Sequence, residues 1–324
     1  MSFHSKVNYL RISVTDRCNL ACCYCVPKDQ LPLLTHRDIA RYEEILRIIQ
    51  ISCRLGITKV RITGGEPLVR RGIVDFIETV AKLEEIQDLS ITTNGVLLQK
   101  NAHALKAAGL NRINISLDTL KPERFQQITG KDLFNQVWKG IMEVTAQGFS
   151  PIKLNTVIMK GTNDDEIDAL AGLTLEYPFH IRFIEYMPMG NAAMDLGQQV
   201  LIPEIRNTIE HTFGPLQPVE RDLNDGPARR FKIPGAKGEI GFISPVSSHF
   251  CHECNRLRLT SSGAIRPCLL NNLEYDILTP LRAGATDDEL SSIIKKGIRN
   301  KPGSHNLGTD NFTRIDSQMF SIGG

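Results

Sequence analysis

Cys18-Asn19-Leu20-Ala21-Cys22-Cys23-Tyr24-Cys25 is the stretch whose reading decides the fold. Taken as Cys18-x3-Cys22-x2-Cys25, it sets three soft thiolates in one short loop, directly after the apolar run Tyr9–Thr15. Thiolates at this density favour an iron–sulfur cluster or a zinc ion. Three ligands leave one iron of a four-iron cubane open to a substrate or cosubstrate, whereas a closed four-thiolate site serves structure or electron transfer. Cys23 competes with Cys22 on paper, but it would leave a single residue before Cys25, so the spacing selects Cys22.

Outward from this loop the chain alternates short apolar runs with helical periods. Tyr9–Thr15, Val60–Thr63, Leu89–Thr93, Arg112–Leu117, Ile152–Ile158 and His180–Tyr186 read as strands. The stripe Ile39, Tyr42, Leu46, Ile49 and Cys53 steps by three and four and predicts a helix that buries Cys53 as a core thiol. Ile73–Leu83, Leu98–Ala108 and Phe134–Gln147 supply further helices. Six β/α units predict parallel strands joined by right-handed crossovers. Six are too few for an eight-fold barrel. The expected fold is therefore α/β, a partial TIM-like barrel of six units with a C-terminal α+β extension. Its ligands should gather at the carboxyl ends of the strands. The rhythm fades after Arg182, which suggests a barrel over residues 5–182, a cluster-binding and barrel-closing region over 183–310, and a tail over 311–324 ending in Gly323-Gly324.

The bulk numbers narrow the class. With 41% apolar residues in 324, the chain can build a large core. A net charge of +2 and 6% aromatic residues argue against stable nucleic-acid binding. No apolar run approaches membrane-spanning length, and the opening MSFHSKVNYLRISV lacks the apolar core of an export signal. Eight cysteines grouped as two triplets plus two extras suit reduced metal ligands in the cytoplasm rather than a disulfide scaffold.

The second triplet is Cys251-x2-Cys254-x13-Cys268, which is either another three-thiolate cluster site or a zinc site completed by His249 or His252. Between its ligands, Arg256 and Arg258 project the same way on an extended segment and give a positive face suited to phosphate. Arg11, Lys59, Arg61, Lys153 and Arg182 each interrupt an apolar strand, which is costly unless they face a solvated lumen that holds an anion. No Gly-x4-Gly-Lys-Ser/Thr phosphate loop is present, so a polyphosphate would depend on these scattered cations. Thr63-Gly64-Gly65-Glu66-Pro67 closes the second strand with glycines that permit close approach of backbone to a ligand. Thr92-Thr93-Asn94-Gly95 and Ser116-Leu117-Asp118 are polar strand tips that, by themselves, read as helix caps.

Together, the first triplet with its aromatic Tyr24 and the Gly64-Gly65-Glu66-Pro67 turn resemble the radical S-adenosylmethionine superfamily. The second triplet, Arg256-x-Arg258, Glu185-Tyr186-Met187-Pro188-Met189-Gly190-Asn191 and the Gly-Gly end narrow the resemblance to the GTP 3′,8-cyclase family of molybdenum-cofactor biosynthesis. The resemblance implies two 4Fe–4S clusters, on Cys18, Cys22, Cys25 and on Cys251, Cys254, Cys268. It implies S-adenosylmethionine beside Tyr24, Gly65, Ser116 and Met187. GTP would be held by Arg11, Arg61, Thr92, Lys153, Arg256, Leu257 and Arg258, with Arg256, Arg258, Gly323 and Gly324 assisting turnover. The implied reaction forms 3′,8-cyclo-7,8-dihydro-GTP by a 5′-deoxyadenosyl radical. Implied partners are a low-potential electron donor, a cyclic pyranopterin monophosphate synthase that receives the product, and a second copy of the chain. Two rivals stand beside it: a peptide-modifying radical enzyme, whose extension would carry more cysteines, and a zinc-stabilised RNA-binding module.

Overall fold

Alternation along the strands sets the architecture. In β1 (Tyr9–Ser13), β2 (Lys59–Thr63), β3 (Asp88–Thr93), β4 (Arg112–Ser116), β5 (Ile152–Ile158) and β6 (Phe179–Glu185), polar and apolar residues alternate, so each strand has one wet and one dry face. On the dry face Ile12, Ile62, Ile91, Ile113, Leu154 and Ile181 are all fully buried. Each such side chain contributes roughly 1.5–3 kcal/mol relative to exposure. They pack under α1 (Tyr42–Arg54), α2 (Ile73–Ala81), α3 (Leu98–Ala107), α4 (Pro122–Thr129), α5 (Phe134–Ala146) and α6 (Ile167–Glu176). Cys53 joins this core from α1, as its place in the apolar stripe requires.

The computed structural model describes residues 7–25, 33–187, 189, 196–220, 226–305, 315 and 317–323. Past β6 the chain adds α7 (Ile202–Phe213), β7 (Gln217–Pro218), β8 (Arg229–Lys232), β9 (Glu239–Ile243), β10 (Arg256–Leu259), β11 (Ala264–Arg266) and β12 (Tyr275–Asp276). Helices α8 (Leu278–Arg282), α9 (Asp287–Arg299) and α10 (Met319–Ile322) follow. All twelve strands form one sheet in the order β12-β11-β10-β1-β2-β3-β4-β5-β6-β9-β8-β7. The eight from β10 to β9 run parallel, and antiparallel hairpin strands extend each side. Among the described residues the sheet ends at β12 and β7, which do not pair, so the barrel is open, as the count of β/α units suggests.

Within the barrel, two helices escape the sequence pattern. Pro122 in the first turn and left-handed Gly130 just past the end bound α4, which at eight residues is too short to show a clear period. α6 is apolar around most of its circumference, so no stripe stands out. No helix among the described residues is long and apolar enough to cross a membrane.

Candidate active site

The wet faces of the parallel strands enclose a cavity of about 320 Å³. Strand register orders its wall into rows. Arg256, Tyr9 and Lys59 are lateral partners at the amino end of β10, β1 and β2. One inward position higher, Arg258, Arg11, Arg61, Ser90 and Arg112 run across five strands. Thr92, Asn114 and Lys153 form the next row, then Ser116, Asn155 and Arg182. Burial, reinforced by neighbouring guanidinium groups, pushes Arg11 well below its ordinary value and Arg258 down to about 9. Like charges crowded out of water in this way fit an anionic occupant.

The first triplet follows the carboxyl end of β1. Its loop is pinned from two sides. Gly65 donates its N–H to Thr15 O at 2.7 Å and Glu66 donates to Arg17 O at 2.8 Å, while Ala21 and Cys23 donate to Thr129 O and Ile128 O at the end of α4. A Cβ on Gly65 would lie 2.3 Å from Arg17 O, so the paired glycines serve the approach of the cysteine loop itself. Glu66 is fully buried and accepts from Leu68 N, Thr93 Oγ1 and Asn94 N. Asn94 in turn donates through Nδ2 to Asn19 Oδ1 at 2.7 Å and lies 3.6 Å from Cys18 Sγ. Tyr24 donates to Asp118 Oδ2 at 2.6 Å, and Asp118 Oδ1 accepts from Val157 N.

Cys18, Cys22 and Cys25 line the cavity, and Cys23 is exposed outside it. Burial, and then the neighbouring thiols, push Cys22 well above its ordinary value and Cys25 to about 12. Such a donor set carries thiolate charge only beside a cation, which is what bound iron supplies. The triplet fits an iron–sulfur cluster.

The second triplet stands at the other end of the same strands. Cys254 precedes Arg256 at the amino end of β10, and Cys268 follows β11. At ~3.3 Å per residue, β1 separates the two ends by roughly 13 Å. Burial alone would raise Cys254, but Arg256 and Lys301 outweigh it and bring the thiol down to about 6. Lys301 is buried and donates to Arg256 O at 2.7 Å and Pro267 O at 2.9 Å, latching together the segments that carry Cys254 and Cys268. The fully buried Arg266 donates to Cys268 O at 3.0 Å and Leu269 O at 3.3 Å. His249 packs edge-on against His305 at 5.3 Å, and exposed His252 faces Glu253. Among the described residues no three His, Cys, Asp or Glu converge tightly enough for a single metal ion. Cys251, Cys254 and Cys268 line the cavity, and this donor set too fits a cluster.

Most residues expected from the sequence meet here. Arg11, Tyr24, Arg61, Gly65, Thr92, Ser116, Lys153, Met187, Arg256 and Arg258 line the one cavity, as do Lys59 and Arg182. Leu257 is the exception: alternation on β10 turns its side chain into the core, away from the cavity that Arg256 and Arg258 line. Arg258 donates to the Ile322 and Gly323 carbonyls, which brings the tail onto β10. Phe320 lines the cavity, and its backbone N–H is directed at Cys25. Gly324, and Pro188, Gly190 and Asn191 of the motif after β6, lie outside the described residues. Sequence reasoning missed Tyr9 and Lys301, and assigned no individual role to Glu66, Asn94, Asp118 or Asn155, the last of which belongs to Asn155-Thr156-Val157, a further stretch that carries the family resemblance. Asn155 was visible as a polar residue at an inward strand position, whereas Tyr9 and Lys301 gave no such signal.

Comparison with known proteins places this geometry. Residues 12–174 match the Radical SAM superfamily, and residues 179–307 match Molybdenum Cofactor Synthesis C. The GTP 3′,8-cyclase of Heliobacterium modesticaldum is 47% identical over 324 residues, covering 100% of this chain and 99% of its own. That of Thermodesulfovibrio yellowstonii is 48% identical with the same coverage. Among solved structures, Streptococcus suis SuiB bound to S-adenosylmethionine shares the fold with a TM-score of 0.62 at 18% identity, over 84% of this chain and 63% of SuiB. Native anSMEcpe with bound AdoMet also gives 0.62, at 14% identity, over 92% of this chain and 82% of its own. With its whole length matched at nearly half identity, the chain belongs to the radical SAM superfamily and, within it, to the GTP 3′,8-cyclase family.

Proposed function

We propose that the chain converts GTP to 3′,8-cyclo-7,8-dihydro-GTP in molybdenum-cofactor biosynthesis, using S-adenosylmethionine and two 4Fe–4S clusters. The observation that carries the reading is one cavity lined at once by both cysteine triplets and by cations from six strands. When bound, the cluster on Cys18, Cys22 and Cys25 with S-adenosylmethionine would supply the radical chemistry at the 3′ carbon of the ribose, and the second cluster would orient the purine. The chain's own residues supply place and charge. Cys18, Cys22 and Cys25 hold one cluster; Cys251, Cys254 and Cys268 hold the other.

Tyr24, Gly65, Ser116 and Met187 border S-adenosylmethionine at the carboxyl ends of the strands, where α/β folds bind ligands. Arg11, Arg61, Lys153, Arg256 and Arg258 neutralise the triphosphate, with Lys59 and Arg182 beside them. Thr92 Oγ1 is buried without a hydrogen-bond partner among the described residues, which fits a site completed by a polar ligand. Gly323 holds the tail against Arg258, and the family resemblance alone extends that role to Gly324. Leu257 contributes through its backbone. Reductive cleavage requires a low-potential electron donor, and the family resemblance implies a cyclic pyranopterin monophosphate synthase as recipient of the product. The family resemblance supports a homodimer, and eight free-thiol positions suit the reducing cytoplasm.

The test is anaerobic iron and sulfide analysis of the intact protein and of a Cys251→Ala/Cys254→Ala/Cys268→Ala variant, followed by assay of GTP with S-adenosylmethionine and a chemical reductant. The reading expects about eight irons falling to about four, with cyclised GTP formed only by the intact protein. About four irons plus one zinc in the intact protein, or no consumption of GTP, would overturn it.

A further inference from the structure

Tyr9 occupies the first inward position of β1. Arg256 and Lys59 are its lateral partners, and the Arg61 guanidinium lies over its ring, 5.5 Å from the centroid. The side chain lines the cavity and is only 8% exposed, yet its Oη has no hydrogen-bond partner among the described residues. A buried hydroxyl left this way is a standing cost to the fold. Phenylalanine would fill the same space and keep the ring under Arg61 without that cost.

We infer that Tyr9 is a substrate-binding residue whose O–H donates to a triphosphate oxygen of the nucleotide. Its lateral partners and the group over its ring are guanidinium and ammonium, which only donate, and Asp88, the carboxylate next along that row, is already engaged by Arg112. An O–H among donors finds its acceptor on an anion, and a charged phosphate oxygen is the strongest acceptor a nucleotide brings. This rests on the nucleoside-triphosphate reading of the cavity and adds to it a contact that apolar or aromatic patterning hides. The ring anchors Arg61 in place, and the hydroxyl supplies a neutral donor among the cations.

The experiment compares cluster-loaded wild-type, Tyr9→Phe and Tyr42→Phe proteins, titrated anaerobically with GTP and with inorganic tripolyphosphate as competitor. Tyr42 is the control: its Oη is also buried and unpartnered among the described residues, but its ring stacks on Phe76 at 4.5 Å, outside the cavity. Tyr9→Phe should bind both GTP and tripolyphosphate about 10- to 100-fold more weakly. Its KM should rise with little change in kcat. Its iron content should stay at the wild-type level, and its nucleotide-free melting temperature should not fall. Tyr42→Phe should bind like wild type. Equal GTP binding by Tyr9→Phe and wild type would overturn the inference while leaving the function standing. Weaker GTP binding with unchanged tripolyphosphate competition would move the contact to base or ribose and overturn the phosphate assignment. A wild-type protein that binds no GTP would sink the functional reading, and this inference with it.

Discussion

Glu66, just past β2, accepts the backbone N–H of Asn94, just past β3, at 2.7 Å, so one buried carboxylate ties together two strand ends under the first cysteine loop. Burial holds that carboxyl up at about 7, against ~4.3 for an exposed glutamate. Between those values the folded chain binds a proton that the unfolded chain has released. Stability is therefore greatest below the lower value and falls as pH rises through about 7. The loss is on the order of 4 kcal/mol at most. Glu66→Gln should flatten the fall in urea midpoint of the cluster-free protein between pH 5 and 8. Asp118, raised to about 6 by burial, acts with the same sign, so a residual slope remains. A variant with the full wild-type slope would exclude Glu66 as its source.

Gly65→Ala should empty the first cluster site and spare the second. The added Cβ would lie 2.3 Å from Arg17 O, one residue before Cys18. Overpacking of this kind costs about 1–3 kcal/mol and moves backbone. Iron analysis should find about four irons per chain, with the remaining cluster removed by the triple alanine substitution of the C-terminal cysteines. Full iron content would show that the loop tolerates the shift.

Lys301→Met should loosen the second site. It removes two buried hydrogen bonds, to Arg256 O and Pro267 O, at a cost of about 2–4 kcal/mol. It also removes a positive charge beside Cys254. A cluster there should be harder to reduce than in wild type, which a spectroscopic redox titration reads directly. An unchanged potential would assign Lys301 to packing alone.

Gly323→Ala tests the tail. Gly323 has φ +70°, a backbone conformation that side-chain-bearing residues rarely adopt, and a Cβ would meet Thr63 Oγ1. The tail should lift from Arg258, become more open to proteolysis after Met319, and lower kcat by about 100-fold, the scale of a one-ångström misplacement. Normal turnover with a released tail would remove it from the mechanism.

The chemistry was more legible in the sequence than the enclosure. Thiol spacing, the Gly64-Gly65 turn and strand periodicity are local patterns, and β5 was bounded to the residue at Ile152–Ile158. The β1–β10 pairing joins Tyr9 to Arg256, a separation no periodicity reports. Tyr9 resembled an ordinary strand aromatic until its register set it among cations. Arg266 and Lys301 belong to residue types that are usually exposed, and their burial is explained by surrounding carbonyls and, for Arg266, by Glu274. Leu257 was named with its arginine neighbours, but alternation sends it the opposite way.

The placement of β10 beside β1 also has a consequence for synthesis. A ribosome delivers Tyr9–Ser13 long before Arg256–Leu259, and Phe179–Glu185 before Glu239–Ile243. In that interval the nascent six-stranded unit carries a naked edge on each side, where strands of another chain can add. The chain is therefore most prone to aggregation when more than half made. A fragment stopped before Arg256 should precipitate rather than persist as a working half-enzyme.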